Sequence, residues 1–192
     1  MTPMFYGIYK EIRDSAWKCL LDFEIDRIPV DVLKITRIAE INVKKDSDVN
    51  DLAPNENAKT YYDGKKWYII FNDKNSTEIS RFAVAHELGH IFLGHHIKLA
   101  KYEGTREFDK KPKSEQQADA FALRLLCPAC VLWGLNISKA EDIAVCCKVP
   151  HNIAEQREKR MRELYKRNQF LTTPLEKEVY KQFEQSIKPP AL

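Results

Sequence analysis

Residues 82–90 of this chain are Phe-Ala-Val-Ala-His-Glu-Leu-Gly-His, and the last five of them decide how the surrounding sequence is interpreted. His86 and His90 are four residues apart, so on a helix their imidazoles lie about one turn apart on the same face and can reach one ion. Glu87 follows the first histidine, where its carboxylate can take a proton from a water bound to that ion. The apolar residues before His86 predict a buried helix. This segment therefore predicts a helical metal site with a general base.

A catalytic zinc ion needs a third protein ligand and a position left open for water. His96 has the spacing of the extended metzincin pattern, but residue 93 is leucine where that pattern has glycine, and no methionine turn is evident downstream. Glu115 lies at the start of a predicted helix, where a first-turn carboxylate points out of the helix end. Asp119, one turn further along, can accept the spare N–H of a ligating histidine. Glu115 is the favoured ligand and His96 the alternative, although complementing the helix dipole alone would also account for Glu115.

The segments before the histidine-bearing helix predict a small antiparallel sheet. Ile41–Lys44 is a candidate strand. Thr60–Phe71 contains Asp63-Gly64 between two β-prone runs, which indicates a hairpin with a type I′ turn. This sheet leads directly into the helix that contains the histidines.

Helices are predicted on both sides of the sheet. Apolar spacing indicates an amphipathic helix over Phe5–Phe23 and a second one beginning at Pro29. Polar residues 72–76 precede the histidine-bearing helix, which we expect over Thr77–Leu93, ended by Gly94. Three further helix starts have capping-box spacing: Ser114 with Gln117, Ser138 with Glu141, and Thr173 with Glu176. The fold class is therefore α+β, with a metallopeptidase domain expected over residues 1–130 and a helical C-terminal subdomain over 131–192.

Composition excludes several classes of protein. The 192 residues are 44% hydrophobic, which suits one ordinary domain with a small appended subdomain. A formal net charge of +3 gives no support for general nucleic-acid binding or a polybasic membrane anchor. No run approaches 18 apolar residues and the first residues do not resemble a secretory signal, so we expect a cytoplasmic protein with reduced cysteines.

The cysteines allow a second metal site as an alternative. Cys127 and Cys130 are spaced as a zinc-binding pair, and Cys146 or Cys147 with His151 could complete the site. The other interpretation is a set of buried, reduced thiols, because Cys127 follows a predicted core helix. We favour the buried thiols and one zinc ion in total.

Residues 140–156 have the apolar spacing of a helix-turn-helix, although Lys148 occupies the position where a turn glycine is usual. A basic run follows, but its lysines and arginines alternate with glutamates at i,i+4 spacing, as on a solvated helix face. Binding of nucleic acid is therefore not favoured, and docking onto a partner protein is the preferred interpretation.

Two stretches of the sequence resemble the ImmA/IrrE metallopeptidases. Members of that family commonly have Phe-x-x-Ala-His-Glu-x-Gly-His, followed by Glu-x-x-Ala-Asn/Asp-x-Phe-Ala-x-x-Leu-Leu-Met-Pro. Residues 82–90 and 115–128 match these patterns, except that Cys127 replaces the usual methionine. Ile28–Asp31 also resembles the family's helix start, so the resemblance covers roughly residues 28–130.

The resemblance implies a zincin-like fold in which His86, His90 and Glu115 hold one Zn²⁺, with Glu87 as general base. It also implies a protein substrate, typically a helix-turn-helix repressor of a mobile element or a stress response, whose cleavage relieves repression. We expect a strand near Lys65–Phe71 to hold the substrate backbone by strand addition.

Two alternative functions stay open at this point. One is a non-proteolytic regulatory or DNA-binding module with a structural or vestigial metal site, and the other is a partner that binds a repressor without cutting it. The residue that stabilises the oxyanion is also open, with four candidates: His95, His96, Tyr102 and His151. Residues 97–113 are long enough to cover the cleft, although a plain loop is the default expectation.

Overall fold

The structure is a computed structural model that describes residues 6–8, 11–95 and 113–188. Within these ranges the chain forms three strands, which are β1 (Asn42–Lys45), β2 (Ala58–Tyr62) and β3 (Trp67–Phe71). The helices of the same ranges are α1 (Ile12–Asp22), α2 (Val32–Ile38), α3 (Asp46–Val49), α4 (Thr77–Phe92), α5 (Lys113–Leu126), α6 (Ala129–Gly134), α7 (Ala140–Cys147), α8 (His151–Lys166), α9 (Pro174–Gln182) and α10 (Glu184–Ile187).

The three strands form one mixed sheet in the order β1-β3-β2. The predicted hairpin is present, with β2 antiparallel to β3, but β1 pairs with β3 in the parallel direction. The expectation of a purely antiparallel sheet is corrected on this point. A tight turn fixes the direction of β2 relative to β3, whereas β1 reaches the other side of β3 through a long connection that imposes no such constraint.

The hairpin turn differs from the predicted type I′. A type I′ turn needs positive φ at both central residues, whereas here Gly64 has φ +93° and neither Asp63 nor Lys65 has a positive φ. The Asp63 carboxylate instead accepts hydrogen bonds from the backbone N–H groups of Lys65 and Lys66, at 2.8 and 2.7 Å. The hairpin turn is therefore stabilised by the Asp63 side chain and does not have the type I′ backbone conformation that the sequence pattern predicted.

Helix α4 begins and ends close to the predicted residues. The Ser76 hydroxyl accepts a hydrogen bond from Ile79 N at 3.4 Å, which caps the first turn. At the other end Gly94 adopts the left-handed conformation, with φ +67°. Two predicted starts fell too early, since α1 begins at Ile12 and α2 begins at Val32.

The predicted capping boxes have different outcomes. Thr173 caps α9 as expected, because its hydroxyl accepts a hydrogen bond from Glu176 N at 3.2 Å. Ser138 does not cap α7; the N-cap residue is Lys139, and the Glu158 carboxylate accepts from Ala140 N at 3.1 Å. A long-range contact thus replaces the local one.

The α+β fold class is confirmed, with a sheet, a helix pair and further helices layered around one core. Helix α4 packs against β2 and β3 on one side and against α5 on the other, and α1 packs on α5. The largest buried side chains of this core include Leu20, Leu88, Phe92, Phe121 and Leu125.

The same core continues into the C-terminal helices. Val131, Ile143 and Met161 belong to it and are fully buried. None of the helices within the described ranges combines the length and apolarity needed to cross a membrane. The division at residue 130 stays a prediction.

Candidate metal centre

Helices α4 and α5 lie close together at Gly89. A Cβ atom at this position would lie 3.1 Å from Ala118 Cα and 3.3 Å from Phe121 Cβ, both of which belong to α5. Since the nearest atoms are backbone and Cβ, they cannot move aside by a simple rotamer change. The missing side chain of Gly89 therefore lets the first turns of α5 lie against the histidine face of α4.

The close approach brings His86, His90 and Glu115 together. The Nε2 atoms of the two histidines are 3.0 Å apart, and the Glu115 oxygens lie 3.2 Å from His86 Nε2 and 3.1 Å from His90 Nε2. In a tetrahedral zinc site with Zn–N bonds of 2.0–2.1 Å the donor atoms are about 3.3 Å apart. Two imidazoles and a carboxylate at these separations suit a divalent ion, and within the described ranges no other group of three such donors comes together.

Asp119 fixes the orientation of the first histidine. His86 Nδ1–H donates to Asp119 Oδ1 at 2.8 Å, so the lone pair of Nε2 faces the other donor atoms. Burial lowers the pKa of His86, but the hydrogen bond with Asp119 and the nearby carboxylates outweigh it, so the net shift of the pKa is upward. Asp119 thus accepts the outer N–H of a histidine of the cluster, as its position one turn after Glu115 predicted.

His95 orients the second histidine, a role that the sequence analysis did not anticipate. The Nδ1 atoms of His90 and His95 are 3.0 Å apart, and His95 Nε2 lies 3.1 Å from Gln117 Oε1. Because an amide oxygen can only accept, His95 donates from Nε2 to Gln117 and accepts at Nδ1 from His90. The Nε2 lone pair of His90 is then directed at the cluster.

The end of α4 explains why His95 occupies this position. Gly94 N donates to Ile91 O at 3.1 Å, as in helix ends closed by a left-handed glycine. In such ends the residue after the glycine folds back onto the last helical turn, which here contains His90. His95 is only 3% exposed, so it lies behind the cluster, not in the cleft where an oxyanion would form. The Leu93-Gly94-His95 sequence after α4 is the feature of the sequence from which this contact could have been predicted.

Glu87 lies beside the cluster and lines the same cleft. It is 8% exposed. Burial raises its pKa to about 7, against the opposing effect of His86 and with a further upward contribution from Glu115. A carboxyl group with a pKa near neutrality is suited to accept and release a proton.

The cluster opens into a cleft with a volume of about 850 Å³. Strand β2 and the residues before it form part of its wall, as do the first turns of α8, while α4 and α5 contribute the donor residues. The wall residues from β2, from the segment before it and from the start of α8 are Glu56, Asn57, Ala58, Lys59, Thr60, Pro150, Asn152, Ile153 and Gln156. The donor atoms are therefore accessible to an extended molecule.

The cysteines do not assemble into a second metal site within the described ranges. The thiols of Cys127 and Cys147 are hydrogen-bonded to each other, and this bond lowers the pKa of Cys127. Cys130 is fully buried. His151 is exposed, and its ring faces Glu141 and Glu155 at 3.9 and 3.4 Å. Buried, reduced thiols are the better description. The alternative zinc ligand His96 and the oxyanion candidate Tyr102 lie outside the described residues, as does the expected cover over 97–113 except for Lys113, which begins α5.

A glutamate between two histidines on one buried helix, with a second carboxylate supplied by the next helix, is the side-chain set of a metallopeptidase. The family model Peptidase_M78, described as the IrrE N-terminal-like domain, matches residues 44–159. This is more than half of the 192 residues, so the chain belongs to this peptidase family and the resemblance found in the sequence is confirmed. The match runs from β1 into α8 and includes the whole cluster. No curated protein matches the chain closely enough to count as a relative.

Proposed function

We propose that this protein is a zinc-dependent endopeptidase that cleaves a helix-turn-helix transcriptional repressor of a mobile element or a stress response. The observation that supports it best is the convergence of His86, His90 and Glu115 on one point of an open cleft, beside the buried carboxyl of Glu87. Membership of a metal-dependent peptidase family supports the reaction type. The repressor as substrate rests on the resemblance alone.

In this proposal His86, His90 and Glu115 hold the zinc ion, which supplies a Lewis acid for the scissile carbonyl and lowers the pKa of the attacking water. Glu87 accepts the proton of that water and transfers it to the nitrogen of the leaving amine. Asp119 and His95 each take the outer N–H of one histidine, so both imidazoles keep the orientation that binding requires.

The substrate is expected to lie along β2, not along β3. Strand β3 is the centre of the sheet and is paired on both edges, so the expected strand addition over 65–71 cannot occur there. Among the described residues no strand pairs with the second edge of β2, and β2 contributes Ala58, Lys59 and Thr60 to the cleft. An extended peptide can add to this edge by backbone hydrogen bonds and pass the cluster.

The direct test is incubation of the zinc-loaded protein with the repressor encoded beside its gene, with and without a chelator. We expect a single cut that disappears with the chelator and with Glu87→Gln. The Glu87→Gln protein should retain one equivalent of zinc, because Glu87 is not a ligand in this proposal. If Glu87→Gln cut the repressor as well as the wild type does, the assignment of Glu87 and of the reaction would be wrong.

The two alternatives make different predictions in the same assay. A structural or vestigial metal site would bind zinc and give no cleavage under any condition. A protein that only sequesters a repressor would form a stable complex with the intact repressor, and the complex would be the same for Glu87→Gln and wild type.

A further inference from the structure

Helices α7 and α8 form a helical hairpin with the connectivity of a helix-turn-helix. The two helices pack against each other and are joined by the three residues 148–150. Lys148 adopts the left-handed conformation, with φ +51°, at the position where a glycine is usual. Val149 is buried, so the turn is anchored in the core. The two helices and the short turn that the apolar spacing of residues 140–156 predicted are therefore present.

The second helix of this hairpin faces the metal centre. Asn152 and Gln156 are one turn apart on α8, both are exposed, and both line the cleft that contains His86 and Glu87. In DNA-binding helix-turn-helix proteins the first turns of the second helix enter the major groove. In this protein the corresponding turns form a wall of the peptidase cleft.

The charge of the cleft argues against a nucleic acid as its occupant. Among the described residues that line it, four are acidic: Glu56, Glu87, Glu115 and Asp119. Within the same set Lys59 is the one lysine or arginine, and its ammonium pairs with Asp51 at 2.9 Å. Apart from the metal site, this described lining offers no unpaired lysine or arginine to neutralise phosphates, and affinity for nucleic acid depends on such neutralisation. Binding of a polypeptide does not require those cations.

Arg81 sets the position of the hairpin relative to the metal ligands. It belongs to α4, five residues before His86, and its Nε donates to Lys148 O at 3.3 Å. Its Nη2 donates to Val30 O at 2.9 Å. One guanidinium thus joins the α4 helix, the turn of the hairpin and the segment before α2. The planar group fixes the direction of these contacts in a way that a lysine ammonium does not.

We propose that the α7–α8 hairpin is the substrate-recognition wall of the peptidase. Asn152 and Gln156 are specificity-determining residues that contact an extended polypeptide segment lying between α8 and β2, and Arg81 is the residue that positions them. This inference rests on the proposed function. A segment paired with β2 on one edge still presents N–H and C=O groups on its other edge. The carboxamides of Asn152 and Gln156 both donate and accept hydrogen bonds. They can therefore pair with the backbone N–H and C=O groups on that edge of the substrate or with its polar side chains.

The test compares five zinc-loaded proteins on a library of unstructured peptides: the wild type, Asn152→Asp with Gln156→Glu, Lys159→Ala, Arg81→Ala and Arg81→Lys. The double variant keeps the side-chain shapes, removes the N–H donors and adds two negative charges. Lys159 is exposed on the same helix and does not line the cleft, so Lys159→Ala is the matched control. Zinc content and thermal unfolding are measured for each protein.

We expect the double variant to shift the cleavage preference towards lysine and arginine at one or two positions of the peptide. The KM for the peptides preferred by the wild type should rise about tenfold or more with little change in kcat, because the residues bind substrate and do not take part in proton transfer. Arg81→Ala should raise KM for all peptides, and Arg81→Lys should restore only part of the loss. Lys159→Ala should behave as the wild type.

The outcomes separate this inference from the proposed function. If the wild type cuts the library and the double variant cuts the same bonds with the same preference and kcat/KM, the recognition role of α8 is wrong and the peptidase assignment stands. If every peptide that the wild type cuts is also cut by the Glu87→Gln protein, or if the wild type cuts no peptide, both the peptidase assignment and the recognition role of α8 are wrong.

Discussion

The metal cluster (His86, His90 and Glu115) and the cysteine cluster (Cys127 and Cys147) both consist of side chains that can bind zinc. Only the metal cluster has its donor atoms arranged around a point that an ion could occupy. His86, His90 and Glu115 point at one another across an open cleft. Cys127 and Cys147 are fully buried, and each thiol satisfies the other. The comparison teaches that ligand chemistry alone does not define a site. Donor atoms must converge on a point that an ion and a substrate can reach, and outer hydrogen bonds must hold them there.

The largest effect is expected from loss of the carboxylate ligand. Glu115→Ala should reduce peptidase activity at least 100-fold, more than the loss of an outer hydrogen-bond partner costs, because two imidazoles alone hold the ion weakly. Zinc titration with a competing chelator and peptide cleavage at saturating zinc measure the two effects. Retention of full activity by this variant would show that the ligand comes from elsewhere, with His96 as the first candidate.

A smaller effect is expected from the partner of His86. Asp119→Ala removes the acceptor of the 2.8 Å hydrogen bond from Nδ1 and should weaken zinc binding 10–100-fold. Asp119→Asn keeps an acceptor oxygen and should lose less. Equal zinc affinity in all three proteins would contradict an orienting role for Asp119.

A substitution at the contact between α4 and α5 should affect the metal cluster indirectly. Gly89→Ala places a methyl group 3.1 Å from Ala118 Cα, so α5 must shift by a few tenths of an ångström and carry Glu115 with it. Because a misplacement of 1 Å costs about 100-fold in rate, we expect a loss of about tenfold in kcat/KM.

Gly134→Ala is the matched control for this substitution. Its Cβ would lie 2.7 Å from Tyr180 Cε2, so it should lower thermal stability without changing kcat/KM. If Gly89→Ala and Gly134→Ala lowered kcat/KM equally, the effect would be one of general stability.

The smallest effect on activity is expected at the cysteine cluster. Replacing Cys127 and Cys147 together by alanine should leave one zinc equivalent per chain and change kcat/KM by less than about twofold, within the range of substitutions remote from a site. The free energy of unfolding should fall by about 1–3 kcal/mol through lost core packing. Metal analysis and chemical denaturation measure the two quantities. A loss of a zinc equivalent would restore the second-site alternative.

Local patterns in the sequence were enough to predict the elements that carry the donors. The i,i+4 spacing of His86 and His90 and the one-turn spacing of Glu115 and Asp119 depend only on helix geometry, and the structure brings all four together. The hairpin and the cap of α4 are equally local.

The features that the sequence did not predict depend on contacts between distant segments. In the sheet of the described residues β3 takes the central position, so β1 pairs with it in the parallel direction and β2 lies at an edge. Glu158 caps α7 in place of Ser138, across 18 residues of chain. Helix α8 follows a turn in which Lys148 O accepts from Arg81 and Val149 is buried, and no periodicity reveals these contacts.

The first turns of α5 supply Glu115 to the cluster, Asp119 to His86 and Gln117 to His95. All three contacts depend on the same short stretch of helix, so ordering it and binding the ion are thermodynamically linked. An ion that binds only the folded chain stabilises it by about 1.4 kcal/mol for each tenfold rise in free zinc above the dissociation constant. Under the proposed function, in which the ion is zinc, the melting temperature of this protein should therefore rise with the concentration of free zinc.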